Sequence, residues 1–117
     1  MIKLVIVEDV KEVREGLKYL LSLDKEITVV KAYKDAEGLL KDLSIMTTPD
    51  VILMDIGLPR MSGIKATSLI KEKYPEVNVL ILTIFEEEEK ILSAVKAGAT
   101  GYILKNMEPG ELVGQIK

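Results

Sequence analysis

Hydrophobic residues follow two different spacings along the chain, and the two spacings alternate. Five short apolar runs cover residues 4–7, 27–32, 51–54, 79–82 and 102–104. Continuous apolar runs of this length are typical of strands buried on both faces of a parallel sheet, and the polar residues inside the second run favour an edge position for it. The segments between the runs repeat apolar residues every three or four positions, as amphipathic helices do. The pattern therefore predicts five strands alternating with five helices.

The predicted helices begin and end at recognisable residues. The first covers about residues 10–23, the third covers about 64–74 and is stopped by Pro75, and the fourth runs from about 86 until Gly98 terminates it. A last helix opens at Pro109 and is short when the sequence ends at residue 117, so we expect the chain to be cut from something longer. The residues expected to face the core are Val10, Val13, Leu17, Leu20, Leu21, Ala36, Leu39, Leu40, Leu43, Ile91, Ala94, Val95, Leu112, Val113 and Ile116.

The alternating elements predict one doubly wound α/β domain over residues 1–117, with parallel strands and right-handed connections. A chain of 117 residues suits one domain with one hydrophobic core. The pattern does not by itself set the order of the strands. If the order is the flavodoxin-like 2-1-3-4-5, it reverses between strands 1 and 3, which is where ligands bind in such sheets.

Four of the apolar runs end in polar residues of different kinds. Glu8 and Asp9 follow the first run, Asp55 follows the third, Thr83 the fourth and Lys105 the fifth. The carboxyl ends of parallel strands lie at the same edge of a sheet. We therefore expect the acids, the hydroxyl and the amine to meet there.

Composition and charge exclude several kinds of function. The formal net charge of −3 provides no general attraction for nucleic acid or for an anionic membrane. Without cysteine the chain has neither a disulfide framework nor a cysteine zinc cluster, and no apolar run is long enough for a signal peptide or a membrane span, so a cytoplasmic location is expected. Histidine is also absent, so any chemistry must use carboxylates, hydroxyls, lysine and a bound ion.

The acids at the predicted edge point to a metal ion. Three carboxylates in contact repel one another unless a cation lies among them. Glu8, Asp9, Asp55 and the carbonyl group of Gly57 offer only oxygen ligands, which favour a hard ion. With several waters completing the coordination, Mg²⁺ is the predicted occupant.

The same edge carries the groups that phosphoryl transfer uses. Asp55 is the predicted nucleophile, forming an acyl phosphate, while Lys105 supplies positive charge and Thr83 a hydroxyl donor. The backbone N–H groups expected to complete the anion site are those of Ile56, Gly57 and Ile84.

Each of these residues also has an ordinary structural explanation. Asp9 followed by Glu12 fits a helix capping box better than a metal site when it is taken alone. Asp55 could be a turn acid, Thr83 a strand former and Lys105 a solvated surface residue. Their joint placement at one edge favours the functional interpretation.

Across essentially its whole length the chain resembles the receiver domain of two-component response regulators. The segments that carry the resemblance are VIVED at 5–9, ILMDIGLPRMSG at 52–63, LILT at 80–83 and AGATGYILK at 97–105. The resemblance implies a flavodoxin-like fold with strand order 2-1-3-4-5. The last segment is similar to the subfamily whose receivers precede a LuxR-type helix-turn-helix DNA-binding domain, which these 117 residues are not expected to contain.

The resemblance implies that Asp55 accepts a phosphoryl group from a histidine kinase, or from a small phosphoryl donor, in a Mg²⁺-dependent reaction. Glu8, Asp9, Asp55 and the Gly57 carbonyl would hold the ion, and the domain would catalyse only its own phosphorylation and dephosphorylation. The expected partners are the kinase, a second copy after phosphorylation, and DNA only through a separate output domain; no membrane partner is expected.

A switch mechanism is a further hypothesis from the same resemblance. Phosphorylation of Asp55 would draw the Thr83 hydroxyl toward it, and Tyr102 would rotate into the space that opens. The surface formed by the fourth helix, the fifth strand and the fifth helix would change as a result.

Two residues depart from the family pattern, and the sequence also leaves two alternative functions open. Glu8 stands where the family more often has aspartate, and Asn106 follows Lys105 where many members have proline. A phosphatase of the haloacid dehalogenase kind would need an aspartate at Gly57. A receiver-like module that binds partners without phosphorylation is disfavoured by the intact set of phosphoryl-transfer residues.

Overall fold

Five parallel strands form one sheet in the order β2-β1-β3-β4-β5. The computed structural model describes residues 1–83, 88–105 and 108–117. The elements are β1 Ile2–Val7, α1 Lys11–Ser22, β2 Ile27–Tyr33, α2 Ala36–Leu43, β3 Val51–Asp55, α3 Gly63–Lys73, β4 Asn78–Thr83, α4 Glu88–Lys96, β5 Gly101–Leu104 and α5 Pro109–Ile116. The predicted doubly wound fold and the 2-1-3-4-5 order are confirmed.

Helices cover both faces of the sheet, because alternate strand residues point to opposite sides. On one face, residues such as Val5 and Ile52 pack with Leu39 of α2 and Ile70 of α3. On the other face, residues such as Leu4 and Leu53 pack with the helices α1 and α5, whose buried members are Leu21, Leu112 and Ile116. Burial on both sides explains why residues 4–7 of β1 and 51–54 of β3 are continuously apolar in sequence.

Strand β2 lies at the edge, as its interrupted apolar pattern predicted. Its pairing with β1 is irregular, since Leu4 is opposite Val29 whereas Val5 is opposite Lys31. Val30 is therefore an extra residue, and its side chain is exposed. Such bulges at sheet edges discourage pairing with another strand.

Three residues expected to face the core are exposed. Val10 is the N-cap residue of α1, outside its helical turns, and α1 packs through a narrow stripe that buries Leu21 and leaves Leu20 at its border. Val95 follows the buried Ala94, and one residue of helix turns the side chain by about 100°, toward solvent. The apolar pattern therefore predicted wider buried faces for α1 and α4 than the structure has.

The C-terminus of α4 and the N-terminus of α5 agree with the sequence prediction. Gly98 has a positive φ of 104°, the backbone conformation that glycine adopts readily where a helix terminates. Pro109 lies in the first turn of α5, which buries Leu112 and Ile116. The predicted start of the fourth helix near residue 86 lies outside the described residues. Within the described ranges, no helix is long and apolar enough to cross a membrane.

Candidate functional site

The strand order brings the three acids together at one edge of the sheet. Glu8 and Asp9 directly follow β1, Asp55 is the last residue of β3, and the two strands are hydrogen-bonded neighbours. One carboxylate oxygen of each acid lies within 4.8 Å of the other two. The predicted cluster of Glu8, Asp9 and Asp55 is therefore present in the folded chain.

The side chain of Lys105, which follows the carboxyl end of β5, enters this cluster. Its Nζ atom lies 2.5 Å from Oε1 of Glu8 and 3.2 Å from Oδ1 of Asp55. Its backbone N–H donates a hydrogen bond of 2.8 Å to the carbonyl group of Thr83, which fixes the start of the side chain beside β4. Burial works against the charge of Lys105, but the close contact with the Glu8 carboxylate and the charges of both acids raise its pKa.

Glu8 is completely buried. Its Oε2 accepts a hydrogen bond of 3.2 Å from the N–H of Val10, and Nη1 of Arg14 donates to its backbone carbonyl at 2.8 Å. Oε1 is close to the Lys105 ammonium, yet the approach lacks hydrogen-bond geometry and this buried oxygen has no donor within the described residues. Burial is the main reason why the pKa of Glu8 is raised.

Asp9 is the exposed member of the cluster, and the capping interpretation of this residue is wrong. The N-cap of α1 is Val10, and no side chain caps the helix. Burial alone would raise the pKa of Asp9, but hydrogen bonds with Glu8 and Asp55 and the charge of Lys105 lower it. Asp9 is thus turned toward the other acids instead of toward the free amides of α1.

The donor set fits a hard divalent cation. Three carboxyl groups and one lysine line the cluster, so its acids outnumber its cations. Oε1 of Glu8 is a buried oxygen that still lacks a hydrogen-bond donor, and oxygen-only sites prefer ions such as Mg²⁺. Since Lys105 already contacts two of the acids, a metal ion would share them with its ammonium group.

The predicted anion site is only partly arranged. The Ile56 N–H donates to the carbonyl group of Leu82 at 3.1 Å, so the prediction that it faces a phosphoryl group is not supported by this geometry. The Gly57 N–H points to Oδ1 of Asp55 at 3.4 Å, and the space beside Gly57 is open. Ile84 lies outside the described residues.

Thr83 and Tyr102 occupy the two neighbouring strands. Thr83 ends β4 with 5% of its surface exposed, near enough to β5 that its carbonyl group accepts from Lys105. Tyr102 lies opposite Ile81 in the register of β4 and β5, and 41% of its surface is exposed. The structure therefore places Thr83 at the predicted edge and Tyr102 partly in solvent.

The sequence pattern did not predict a role for two arginines that lie near the site. Arg14 supports the end of β1 through the Glu8 carbonyl, and Arg60 lies in the loop after β3 with a positive φ of 60°. An arginine on an amphipathic helix resembles any solvated cation. Arg60 stands between a proline and a glycine-containing turn, which is a weak sign of an unusual backbone conformation.

A doubly wound sheet defines the receiver class of signalling domains when it carries an acid cluster and a lysine at its switch point. The switch point is the edge at which the strand order reverses between β1 and β3. The chain belongs to the response regulator receiver domain family, which matches residues 4–117. It is 39% identical over 116 residues to the transcriptional regulatory protein DegU of Brevibacillus brevis, covering 99% of this chain and 49% of that protein. It is 33% identical over 111 residues to the nitrate/nitrite response regulator protein NarL of Escherichia coli K12, covering 94% of this chain and 50% of NarL.

Solved structures give the same result. A LuxR-family two-component response regulator from Aurantimonas sp. SI85-9A1 superposes with a TM-score of 0.92 at 34% identity, covering 99% of this chain and 82% of that chain. The chain spans about half the length of the curated relatives it matches. It is the receiver domain of a two-component response regulator, and several of its relatives, DegU among them, are named as transcriptional regulatory proteins.

Proposed function

We propose that Asp55 accepts a phosphoryl group from a histidine kinase or from a small phosphoryl donor. The observation that supports this most directly is the position of Asp55 between two further acids and the Lys105 ammonium at the switch point of the sheet. In the transfer, an Asp55 oxygen forms a bond to phosphorus as the bond from phosphorus to the donor breaks. Hydrolysis by water then returns free phosphate and the carboxylate.

The chain's own residues divide the work of this reaction. Glu8, Asp9, Asp55 and the Gly57 carbonyl would hold Mg²⁺, which when bound would neutralise negative charge on the acids and on the phosphoryl oxygens. Lys105 would pair with a phosphoryl oxygen, because its raised pKa keeps the ammonium charged. Thr83, at the end of the neighbouring strand, would donate its hydroxyl to the same group. The domain would act on itself and not turn over an external substrate.

The wider role extends this proposal to the full-length protein. Several relatives of about twice the length are named as transcriptional regulatory proteins, so we infer that phosphorylation controls an output domain that binds DNA in the cytoplasm. Partner contact, including pairing with a second copy, would use the face formed by α4, β5 and α5. Apolar side chains are exposed there, with Leu92 at 58% and Val95 at 56%.

The proposal predicts one added phosphoryl group on the intact protein after incubation with acetyl phosphate and Mg²⁺. Intact-protein mass spectrometry would measure the addition. A chelator should prevent it, because the three acids then repel the incoming phosphoryl group. Asp55→Asn should prevent it too, because an amide is not a competent nucleophile.

The matched control for this experiment is Asp50→Asn, an exposed acid at the opposite end of β3 that bonds to the Lys3 amide. It should be labelled like the natural chain. Labelling that persists in Asp55→Asn would place the phosphoacceptor elsewhere. Absence of labelling together with absence of Mg²⁺ binding would favour a module that works by binding alone.

The switch hypothesis predicts that Tyr102→Ala is phosphorylated normally but no longer changes its association. Tyr102 is on β5 and half-exposed, so it can move without disturbing the acids. Sedimentation velocity with and without phosphorylation would measure any change in oligomeric state, and couplings of this kind are typically about 5- to 150-fold in affinity. A full phosphorylation-linked change in the variant would remove Tyr102 from the mechanism.

A further inference from the structure

Arg60 has a backbone conformation that its side chain does not favour. Its φ of 60° lies in the left-handed region, and it is the one non-glycine residue with positive φ in the described part of the chain. A side chain with a Cβ atom disfavours this region, which glycine enters freely. Such residues persist where surrounding contacts hold them, and they concentrate near functional sites.

The contacts that hold Arg60 come from the beginning of α2. Its Nη2 lies 2.9 Å from Oδ2 of Asp35, and its Nε lies 3.3 Å from Oε2 of Glu37. The same Glu37 oxygen accepts a hydrogen bond of 3.3 Å from the N–H of Met61. Asp35 is in turn fixed, because its Oδ1 caps α2 at the N–H of Gly38. We call this set of contacts among Arg60, Met61, Asp35 and Glu37 the latch.

The loop that the latch holds begins at the phosphoacceptor candidate. Its base is closed by Gly63, whose N–H donates to the Ile56 carbonyl at 3.4 Å and which has no room for a Cβ atom beside the Asp55 carbonyl. Gly57 lies within this loop, exposed, with open space beside it. Gly57 therefore lies between a closed base and a latched tip, with open space where a side chain would be.

We propose that the latch is a positioning device for the site, and that Arg60 is a positioning residue that holds the loop segment carrying Gly57 in the arrangement that receives Mg²⁺. This inference rests on the proposed function of Asp55, and goes beyond it by assigning a role to residues outside the acid cluster. Without the latch the tip of the loop moves away from α2, and the Gly57 carbonyl is correctly placed for only part of the time. The affinity for Mg²⁺ then falls in proportion to the fraction of time that the Gly57 carbonyl is correctly placed.

The experiment compares the natural chain with Arg60→Gly, Glu37→Gln and Lys31→Ala. Arg60→Gly removes the two ion pairs of the latch and also relieves the backbone strain, whereas Glu37→Gln weakens the latch from the α2 side without altering the loop. Lys31→Ala is the matched control, because it removes an exposed ion pair of 3.1 Å to Asp42 of the same helix, away from the loop. The readouts are calorimetric titration with Mg²⁺ alone, hydrogen exchange of the Met61 amide and the thermal unfolding midpoint.

Both latch variants should bind Mg²⁺ about threefold to tenfold more weakly and exchange the Met61 amide faster. Arg60→Gly should do so with an unfolding midpoint equal to or above that of the natural chain, since relief of strain offsets the lost ion pairs. Lys31→Ala should leave Mg²⁺ binding unchanged. A purely structural role would lower the midpoint and leave the affinity for Mg²⁺ unaltered.

Two results would overturn the positioning role. One is unchanged Mg²⁺ affinity in both latch variants while the natural chain binds the ion; the proposed function would then survive and only the latch would fail. The other is an equal loss of affinity in Lys31→Ala, which would make the effect one of surface charge. A natural chain that neither binds Mg²⁺ nor becomes phosphorylated would overturn the proposed function itself, together with the latch.

Discussion

Replacing Gly63 by alanine should lower the free energy of unfolding by about 3 kcal/mol or more. A Cβ atom on Gly63 would overlap the carbonyl oxygen of Asp55 and would lie 3.0 Å from Cγ of Met54, both in the buried end of β3. The obstacle is steric, since Gly63 does not have a positive φ. Backbone atoms of a central strand cannot give way as a flexible side chain does. Thermal or urea unfolding of the variant would measure the loss.

Gly16→Ala is the matched control for this prediction. Gly16 lies inside α1 with nothing within 4 Å of an added Cβ, so alanine should stabilise the helix by about 0.5 to 1 kcal/mol. The two substitutions are chemically identical and should have opposite signs. A Gly63→Ala variant as stable as the natural chain would show that α3 does not begin against the Asp55 backbone.

Lys105→Met should destabilise the chain by about 2 to 3 kcal/mol in the presence of a chelator. Methionine keeps much of the length of the side chain but leaves Glu8, which is completely buried, facing Asp55 without a cation. The loss falls below that of a fully buried pair because 19% of the Lys105 side chain is exposed. Equilibrium urea unfolding would measure it, and saturating Mg²⁺ should restore much of the stability, because ligand binding favours the folded state.

The double variant Lys105→Met with Glu8→Gln tests the physical reason. Neutralising Glu8 removes the unpaired buried charge, so most of the loss should be recovered without Mg²⁺. If the double variant is as unstable as Lys105→Met alone, lost packing of the lysine chain and not lost charge explains the effect. Phosphorylation should stay at least about 100-fold slower in both variants, because neither has the ammonium group that neutralises the phosphoryl oxygens.

Local patterns determined much of the fold and most members of the site. An apolar run with both faces buried, followed at once by a polar residue, marks where a parallel strand ends, and this feature depends on a few adjacent residues. Strands β1 and β3 and the residues Glu8, Asp9 and Asp55 were therefore placed correctly. The helix ends at Gly98 and Pro109 depend equally on one residue's backbone preferences.

Predictions that depended on the direction of a side chain or an amide were less successful. Asp9 has the spacing of a helix cap, but its side chain turns instead to the adjacent Glu8, to Asp55 at the end of β3 and to Lys105 after β5. The Ile56 amide was expected to face a ligand, but it bonds to Leu82 because β4 lies beside β3. In both cases a partner distant in the sequence takes the group away from its predicted role.

The sequence by itself determined which residues stand at the ends of strands, because strand ends follow from adjacent residues. Only the tertiary structure decided that Glu8 is completely buried against Lys105, since the two are 97 positions apart in the chain. The latch between Arg60 and residues 23 and 25 positions earlier has the same origin. Contacts of this kind depend on how the strands are ordered and how helices pack across them. The spacing of apolar residues predicts the shared edge but not which side chains then contact each other there.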